Sequence, residues 1–244
     1  MFTPEDRDRV RERVFAIARA DERIRGAAIT GSRAVGTEDR WSDVDTAFGV
    51  AAGVAIDAVL ADWTDLFAQE FDVVHYFDLR QDPTVYRVFL LANSLEVDIS
   101  LTPASEFGAR GPNFQLIYGE SVERPATAAP STDELIGFGW IYVLSARAAI
   151  ERGKLWQAEH WISRTRDHSL ALACIRHGLP ARHARGVDRL PPEVTGPWRK
   201  TLVRSLEISE LRRALAVAAH QFVHEVGLVD PLLGDALRTP LAPR

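Results

Sequence analysis

The sequence predicts an α+β protein: a small mixed β-sheet with flanking helices over residues 1–130, followed by an all-α helical bundle over residues 131–244. Three observations lead to that class. The first hundred residues switch between helical periodicity and short β-rich runs in the order α-β-β-α-β-β-β. Residues 102–131 then lose periodicity and carry Pro103, Pro112, Pro125 and Pro130. After Ser131-Thr132-Asp133-Glu134, a capping-box pattern, only helical periodicity remains.

Each element has its own justification. Thr3-Pro4-Glu5-Asp6 places a capping hydroxyl, an N1 proline and first-turn acids ahead of an apolar face through Val10, Val14, Phe15, Ile17 and Ala18, so a helix is expected to about residue 20. Ile24 to Thr30 reads as a strand ending at Gly31-Ser32, and Val44 to Val50 as a second strand. Residues 54–69 carry Ile56, Val59, Leu60, Trp63, Leu66 and Phe67 at helical spacing. A strand at 71–77 precedes the turn former Gln81-Asp82-Pro83. The runs 85–91 and 95–101, joined by Ala92-Asn93-Ser94, read as a hairpin. In the second half, helices are expected at 132–152, 154–177, 192–206 and 207–227, with an irregular tail over 238–244. The aromatics Phe138, Trp140, Tyr142, Trp156 and Trp161 read as core, and Cys174 packs on an apolar helix face.

Composition excludes several classes. The 244 residues are 46% hydrophobic and 26% charged, which excludes disorder and collagen-like structure. No apolar run approaches the roughly 18 residues of a membrane span. Residues 1–13 mix charges with no apolar core, so no secretory leader is expected. The single cysteine excludes an internal disulfide framework and a cysteine-rich zinc site, and a cytoplasmic protein is expected. The net charge of −5 argues against general nucleic-acid binding. Residues 1–131 hold 13 Lys+Arg against 22 Asp+Glu, net −9, whereas residues 132–244 hold 16 against 12, net +4. An acidic half suits a divalent metal and a cationic substrate, and a basic half suits polyphosphate.

The informative stretch is Gly31 to Asp45. Gly31-Ser32 follows a strand, where a tight turn offers backbone N–H groups and a hydroxyl to an anion. Asp43 and Asp45 open the next strand two residues apart and so share one face. Two such carboxylates repel unless a cation lies between them, and hard oxygen donors of this kind suit Mg²⁺. The run Leu95-Glu96-Val97-Asp98 offers Asp98 as a third acid, with Glu96 on the same face. Arg33 and Arg40 adjoin the motif, within reach of a phosphate, and Trp41 is expected to pack.

Gly-Ser, ten residues, Asp-x-Asp, and a later strand with a third carboxylate together resemble the nucleotidyltransferase superfamily of the polymerase-beta type. Within it, the chain resembles the bacterial aminoglycoside adenylyltransferases and lincosamide nucleotidyltransferases, which also pair a small α/β domain with a C-terminal helical bundle. The motif covers residues 31–45 and the strand pattern extends the match to about 101; beyond that the resemblance is architectural. It implies that Gly31 and Ser32 hold the β- and γ-phosphates of a nucleoside triphosphate and that Asp43 and Asp45 bind one or two Mg²⁺. Asp98 then shares a metal or acts as general base, with Glu96 its competitor for the second role. A basic residue of the helical half, Lys154 or Arg164, reaches the triphosphate. Thr46 departs from the usual aliphatic residue after the second aspartate, with no chemical consequence evident in the sequence.

The expectation is therefore Mg²⁺-dependent transfer of AMP from ATP to a hydroxyl of a small molecule. An aminoglycoside-type acceptor is the best guess, since the −9 half attracts a polycation. The alternatives are a lincosamide-type acceptor and an antitoxin-like or protein-AMPylating module, the minimal antitoxin being disfavoured by the size of the helical half. The partners expected are a nucleoside triphosphate and the acceptor, with no nucleic acid and no membrane.

Overall fold

The computed structural model describes residues 1–126 and 128–242. The chain divides into two compact units, Met1–Thr127 and Ala128–Arg244. The first is a six-stranded mixed sheet with helices on one face. Its elements are α1 (Pro4–Ala20), β1 (Ile24–Thr30), a single helical turn α2 (Gly31–Ala34), β2 (Val44–Val50), α3 (Ile56–Glu70), β3 (Val73–Gln81), β4 (Thr84–Leu91), β5 (Glu96–Pro103) and β6 (Phe114–Gly119). The strand order is β3-β4-β5-β2-β1-β6. β2 and β5 run parallel, and every other neighbouring pair is antiparallel.

Local chemistry explains the starts and stops. The Thr3 hydroxyl accepts from the Asp6 backbone N–H at 3.2 Å, and the Asp6 carboxylate accepts in return from the Thr3 backbone N–H at 3.0 Å. The centre of one face is an apolar layer: Val44, Phe48, Phe89, Val97, Ile99 and Leu101 pack under Val10 and Val14 of α1 and Trp63 and Phe67 of α3. Phe48 meets Trp63 edge to face at 5.0 Å. Asp21, just after α1, fastens this layer. Its carboxylate accepts from Arg23 Nη2 at 2.8 Å and from Trp63 Nε1 of α3 at 2.9 Å.

The expected order of elements is present, with an addition. Residues 102–131, read as irregular, contain β6, which pairs antiparallel with the outer edge of β1. The strand is only six residues long and lies between prolines rather than containing one, so proline density concealed it. The expected strand at 71–77 begins at Val73 and continues to Gln81.

The second unit is all α: α4 (Thr132–Glu151), α5 (Leu155–Arg176), α6 (Pro192–Thr195), α7 (Ile208–Val229) and α8 (Pro231–Leu241). Gly139 lets α4 approach α7 closely, because a Cβ there would lie 2.2 Å from Phe222 Cε2. Cys174 is buried beside Ala173 and Leu190 as expected. Three expectations fail here. The helix expected over 192–206 shrinks to α6 followed by a 3₁₀ turn over Gly196–Thr201, because Pro197 supplies no N–H and blocks continuation. The tail is helical to Leu241: the Asp230 carboxylate accepts from Leu233 N–H at 3.0 Å, and Pro231 sits at N1. The rest of the expected irregular tail, Pro243 and Arg244, lies outside the described residues. Of the aromatics expected in the core, Phe138, Trp140 and Trp156 are exposed, Trp156 by 77%, while Tyr142 and Trp161 stack at 5.1 Å.

Hydrogen bonds, chiefly from Arg23, hold the Asp21 carboxyl down to about 2 from 3.8. A depressed carboxylate adds stability that is fully present above the unfolded value and is lost as pH falls through the folded one. We therefore expect wild type to exceed Asp21→Asn in unfolding free energy by about 1.5–3 kcal/mol at pH 7. In denaturant titrations that gap shrinks between pH 3.8 and about 2.

Candidate active site

The site starts where β1 ends. Gly31 has φ +67°, and a Cβ there would lie 1.8 Å from Asp45 Oδ2. Glycine is thus required twice, for the left-handed backbone and for the carboxylate lying against it. Gly31-Ser32, expected as a turn, forms the first half of α2. The chain folds back where Thr37 N–H donates to the Ser32 carbonyl at 3.0 Å.

The loop from 35 to 43 is tied down by two buried arginines that the sequence reading did not single out. Arg7 and Arg11, one turn apart on α1, are only 4% and 7% exposed. Both grip Glu38: Arg7 Nη2 lies 3.1 Å from Oε2, and Arg11 Nη2 pairs with Oε1. Arg7 also donates to the carbonyls of Asp39 and Ser42. A tight turn follows, in which Trp41 N–H donates to Asp39 Oδ1 at 2.8 Å and Asp39 N–H to Ser42 Oγ at 2.9 Å. Its end delivers Asp43 to the start of β2. The available signal was an arginine pair at i and i+4 in line with Val14 and Ala18, within the apolar stripe of the helix. Arg33 shares the same clasp, donating to Glu38 Oε2 at 3.1 Å. Trp41 does not pack. It is 63% exposed, with the Arg40 guanidinium 4.3 Å from its ring centroid.

The parallel register of β2 and β5 sets Asp45 directly beside Asp98. Paired residues on neighbouring strands share a face about 4.8 Å apart. Asp45 and Asp98 therefore lie together on the face opposite the apolar core. The Thr46 hydroxyl donates to the Asp98 carbonyl at 3.0 Å, and the Ser100 hydroxyl donates to the Thr46 carbonyl at 3.0 Å. The threonine that departs from the resembled pattern thus has a function: it pins the strand that carries the third acid. Glu96 lies on the same face, two residues before Asp98, and is exposed.

Asp98 Oδ1 is buried without a hydrogen-bond partner. Burial foremost, then the charges of Asp45, Glu96 and Asp43, push the Asp98 carboxyl up to about 7. Among the described residues no three His, Cys, Asp or Glu side chains converge to cage a metal. Mg²⁺ does not need such a cage: one or two carboxylates plus substrate phosphates and water complete its shell. An unpartnered buried carboxylate oxygen beside a second carboxylate is a donor set that fits it.

Lys154 and Arg164 belong to the second unit. They do not form one cluster, since ten residues of helix separate them by about 15 Å. Lys154 is exposed at the N-cap of α5, while the Arg164 guanidinium lies 5.8 Å from the Tyr142 ring centroid. Beside it, burial and the Arg164 charge lower the His168 pKa.

No family model and no curated protein matches the chain. Among solved structures it is similar to an aminoglycoside 6-adenyltransferase from Bacillus subtilis, at 14% identity, 91% coverage of this chain, 89% of that one and a TM-score of 0.40. It is also similar to a nucleotidyltransferase-like protein from Exiguobacterium sibiricum 255-15, at 12% identity, 91% and 77% coverage and a TM-score of 0.36. At these values neither neighbour bears on what the site does. No helix among the described residues is long and apolar enough to cross a membrane.

Two outcomes are expected. Glu38→Ala leaves Arg7 and Arg11 buried without their shared carboxylate, and chemical denaturation should show a loss of about 3–5 kcal/mol. Asp98→Asn should raise the Tm of the metal-free protein. A raised folded-state pKa makes ionisation a penalty that grows as pH rises from 3.8 through about 7, so the gain is largest at pH 8 and small at pH 4. Each kcal/mol relieved is worth about 2–4 °C in a protein of this size.

Proposed function

We propose that this protein is a Mg²⁺-dependent nucleotidyltransferase that moves AMP from ATP to a hydroxyl of a small molecule. The single observation that carries the reading is the Asp45–Asp98 pair in register on the open face of the sheet, with the Asp45 carboxylate against Gly31. In this proposal the nucleotidyl domain is residues 1–130 and the helical domain residues 131–244, working in the cytoplasm.

Asp43 and Asp45 hold Mg²⁺, which supplies charge neutralisation of the triphosphate. Gly31, Ser32 and Arg33 face the phosphates, with Lys154 or Arg164 as a further cation. The acceptor hydroxyl oxygen bonds to the α-phosphorus, the bond from that phosphorus to the bridging oxygen breaks, and pyrophosphate departs. The hydroxyl proton passes to Asp98. Its carboxyl, raised toward neutrality, suits proton acceptance better than a strongly acidic one does. Exposed Glu96 is the competing base. The net charge of −9 on residues 1–131 favours an acceptor that carries amines, such as an aminoglycoside.

The test is pyrophosphate release with Mg²⁺, each of the four nucleoside triphosphates, and aminoglycosides and lincosamides as acceptors. We expect release that requires ATP and one acceptor, falls to background in Asp43→Ala and Asp45→Ala, and drops by roughly 10²–10⁴-fold in Asp98→Ala. Release that survives Asp45→Ala unchanged would overturn the proposal.

A further inference from the structure

A sheet covered by helices on one face ordinarily shows a polar second face. Strands β3 and β4 depart from this. Their charged residues point to the helix side: Arg87 donates to the Leu60 carbonyl and the Thr64 hydroxyl of α3 and pairs with Asp78, while Arg80 pairs with Asp57 of α3. Val85 and Phe89 of β4 also turn inward to the core, yet the open side is apolar as well. Phe77, Leu79 and Leu90 are 53%, 48% and 46% exposed, and Val88 and Tyr86 are half-buried between them.

The register makes this surface continuous with the acids. Phe77 pairs with Val88, Val88 with Asp98 and Asp98 with Asp45, so the four side chains form one row across four strands. Leu90 pairs with Glu96 in the flanking row, and Leu79 with Tyr86 and Ser100 in the other. Strand spacing puts Val88 about 5 Å and Phe77 about 10 Å from the Asp98 position. No Asp, Glu, Lys or Arg side chain of β3 or β4 stands on this face.

We infer that this apolar shelf is the acceptor surface and that the acceptor carries an apolar ring or alkyl group next to its reacting hydroxyl. The inference rests on the transfer reading and replaces its wholly polar aminoglycoside acceptor with one that carries an apolar group beside the hydroxyl. A hydroxyl at Asp98 places the adjoining part of the molecule over Val88, Phe77 and Leu90, where a wholly polar sugar leaves the shelf uncovered. Three half-exposed large side chains amount to a few hundred Å², the scale of a small-molecule surface. A stable dimer needs roughly 800 Å² from each partner, and self-association here would also seal off the acids.

The test uses 2-naphthyl β-D-glucopyranoside and methyl β-D-glucopyranoside, which differ only in the apolar group, titrated against the full chain with ATP and Mg²⁺ bound. Wild type is expected to prefer the naphthyl compound by roughly tenfold or more. Phe77→Ser and Leu90→Ser, both surface changes, should each cut that preference severalfold while ATP–Mg²⁺ affinity and Tm stay at wild-type values. Equal binding of the two glycosides, or a preference that survives both substitutions, overturns the inference. So does a change of oligomeric state in Phe77→Ser, which would make the shelf a self-association surface. ATP–Mg²⁺ titration of wild type and Asp45→Ala, run alongside, separates the two levels. If wild type binds no nucleotide, the transfer reading itself falls.

Discussion

The first unit is organised around one parallel pairing in an otherwise antiparallel sheet. β2 and β5 run side by side in the same direction, with Asp45 opposite Asp98. A parallel neighbour cannot be reached by a tight turn, so the chain must leave the sheet and return. Here the excursion is α3, β3 and β4, and it also supplies a helix that covers the core and the two strands that extend the sheet beyond β5. Register matters more than usual at this joint. A slip of one residue would send Asp98 into the apolar layer and Val97 out of it. Two hydroxyls act against that slip, since Thr46 and Ser100 each bond a main-chain carbonyl across the pair.

Bringing the carboxylates together opposes folding, and the surrounding structure holds them in place. Burial and three acidic neighbours disfavour ionisation of Asp98, and one of its oxygens has no hydrogen bond. The stabilising groups lie on the far side of the motif loop, where two buried arginines converge on Glu38 and one of them also takes two backbone carbonyls of the loop. A charged clasp of this kind contributes little net stability compared with apolar packing, but it fixes geometry, because removing one partner strands the others. The clasp binds the loop.

How much of this was legible depended on the range of the interaction. Short-range patterns read well: the Thr3 capping box, the apolar stripe of α1 and the Asp43-x-Asp45 pair on one strand face all follow from neighbours within a few residues. Gly31 was legible as a turn, but its second requirement, room for the Asp45 carboxylate, is a contact across the sheet. Thr46 seemed inconsequential because its partner, the Asp98 carbonyl, is 52 residues away. β6 was hidden by the prolines around it, and the helix read across 192–206 ignored Pro197. Phe138, Trp140 and Trp156 are exposed against expectation because a one-dimensional pattern does not say which side of a helix meets another element. Phe138 and Trp140 stand two apart on α4, on different sides of the helix, and both are exposed.

The alternation along β3 and β4 shows why a face must be assigned before it is interpreted. His75, Phe77 and Leu79 alternate with Tyr76, Asp78 and Arg80, and on sequence alone the apolar set belongs to the core. Pairing with β4 and β5 reverses that assignment. Phe77 lines up with Val88 and Asp98, with His75 opposite Leu90 and Leu79 opposite Tyr86 on the same face, while Asp78 and Arg80 turn to α3 with Arg87. Charged groups can occupy the helix side because Asp78 pairs with Arg87, and Arg87 also reaches a carbonyl and a hydroxyl on α3. That network releases the opposite face from the need to be apolar for folding. Phe77, Leu79 and Leu90 are apolar where solvent would favour polar groups, and folding of the sheet supplies no reason for it. On the proposed reading, the apolar group of the acceptor supplies that demand.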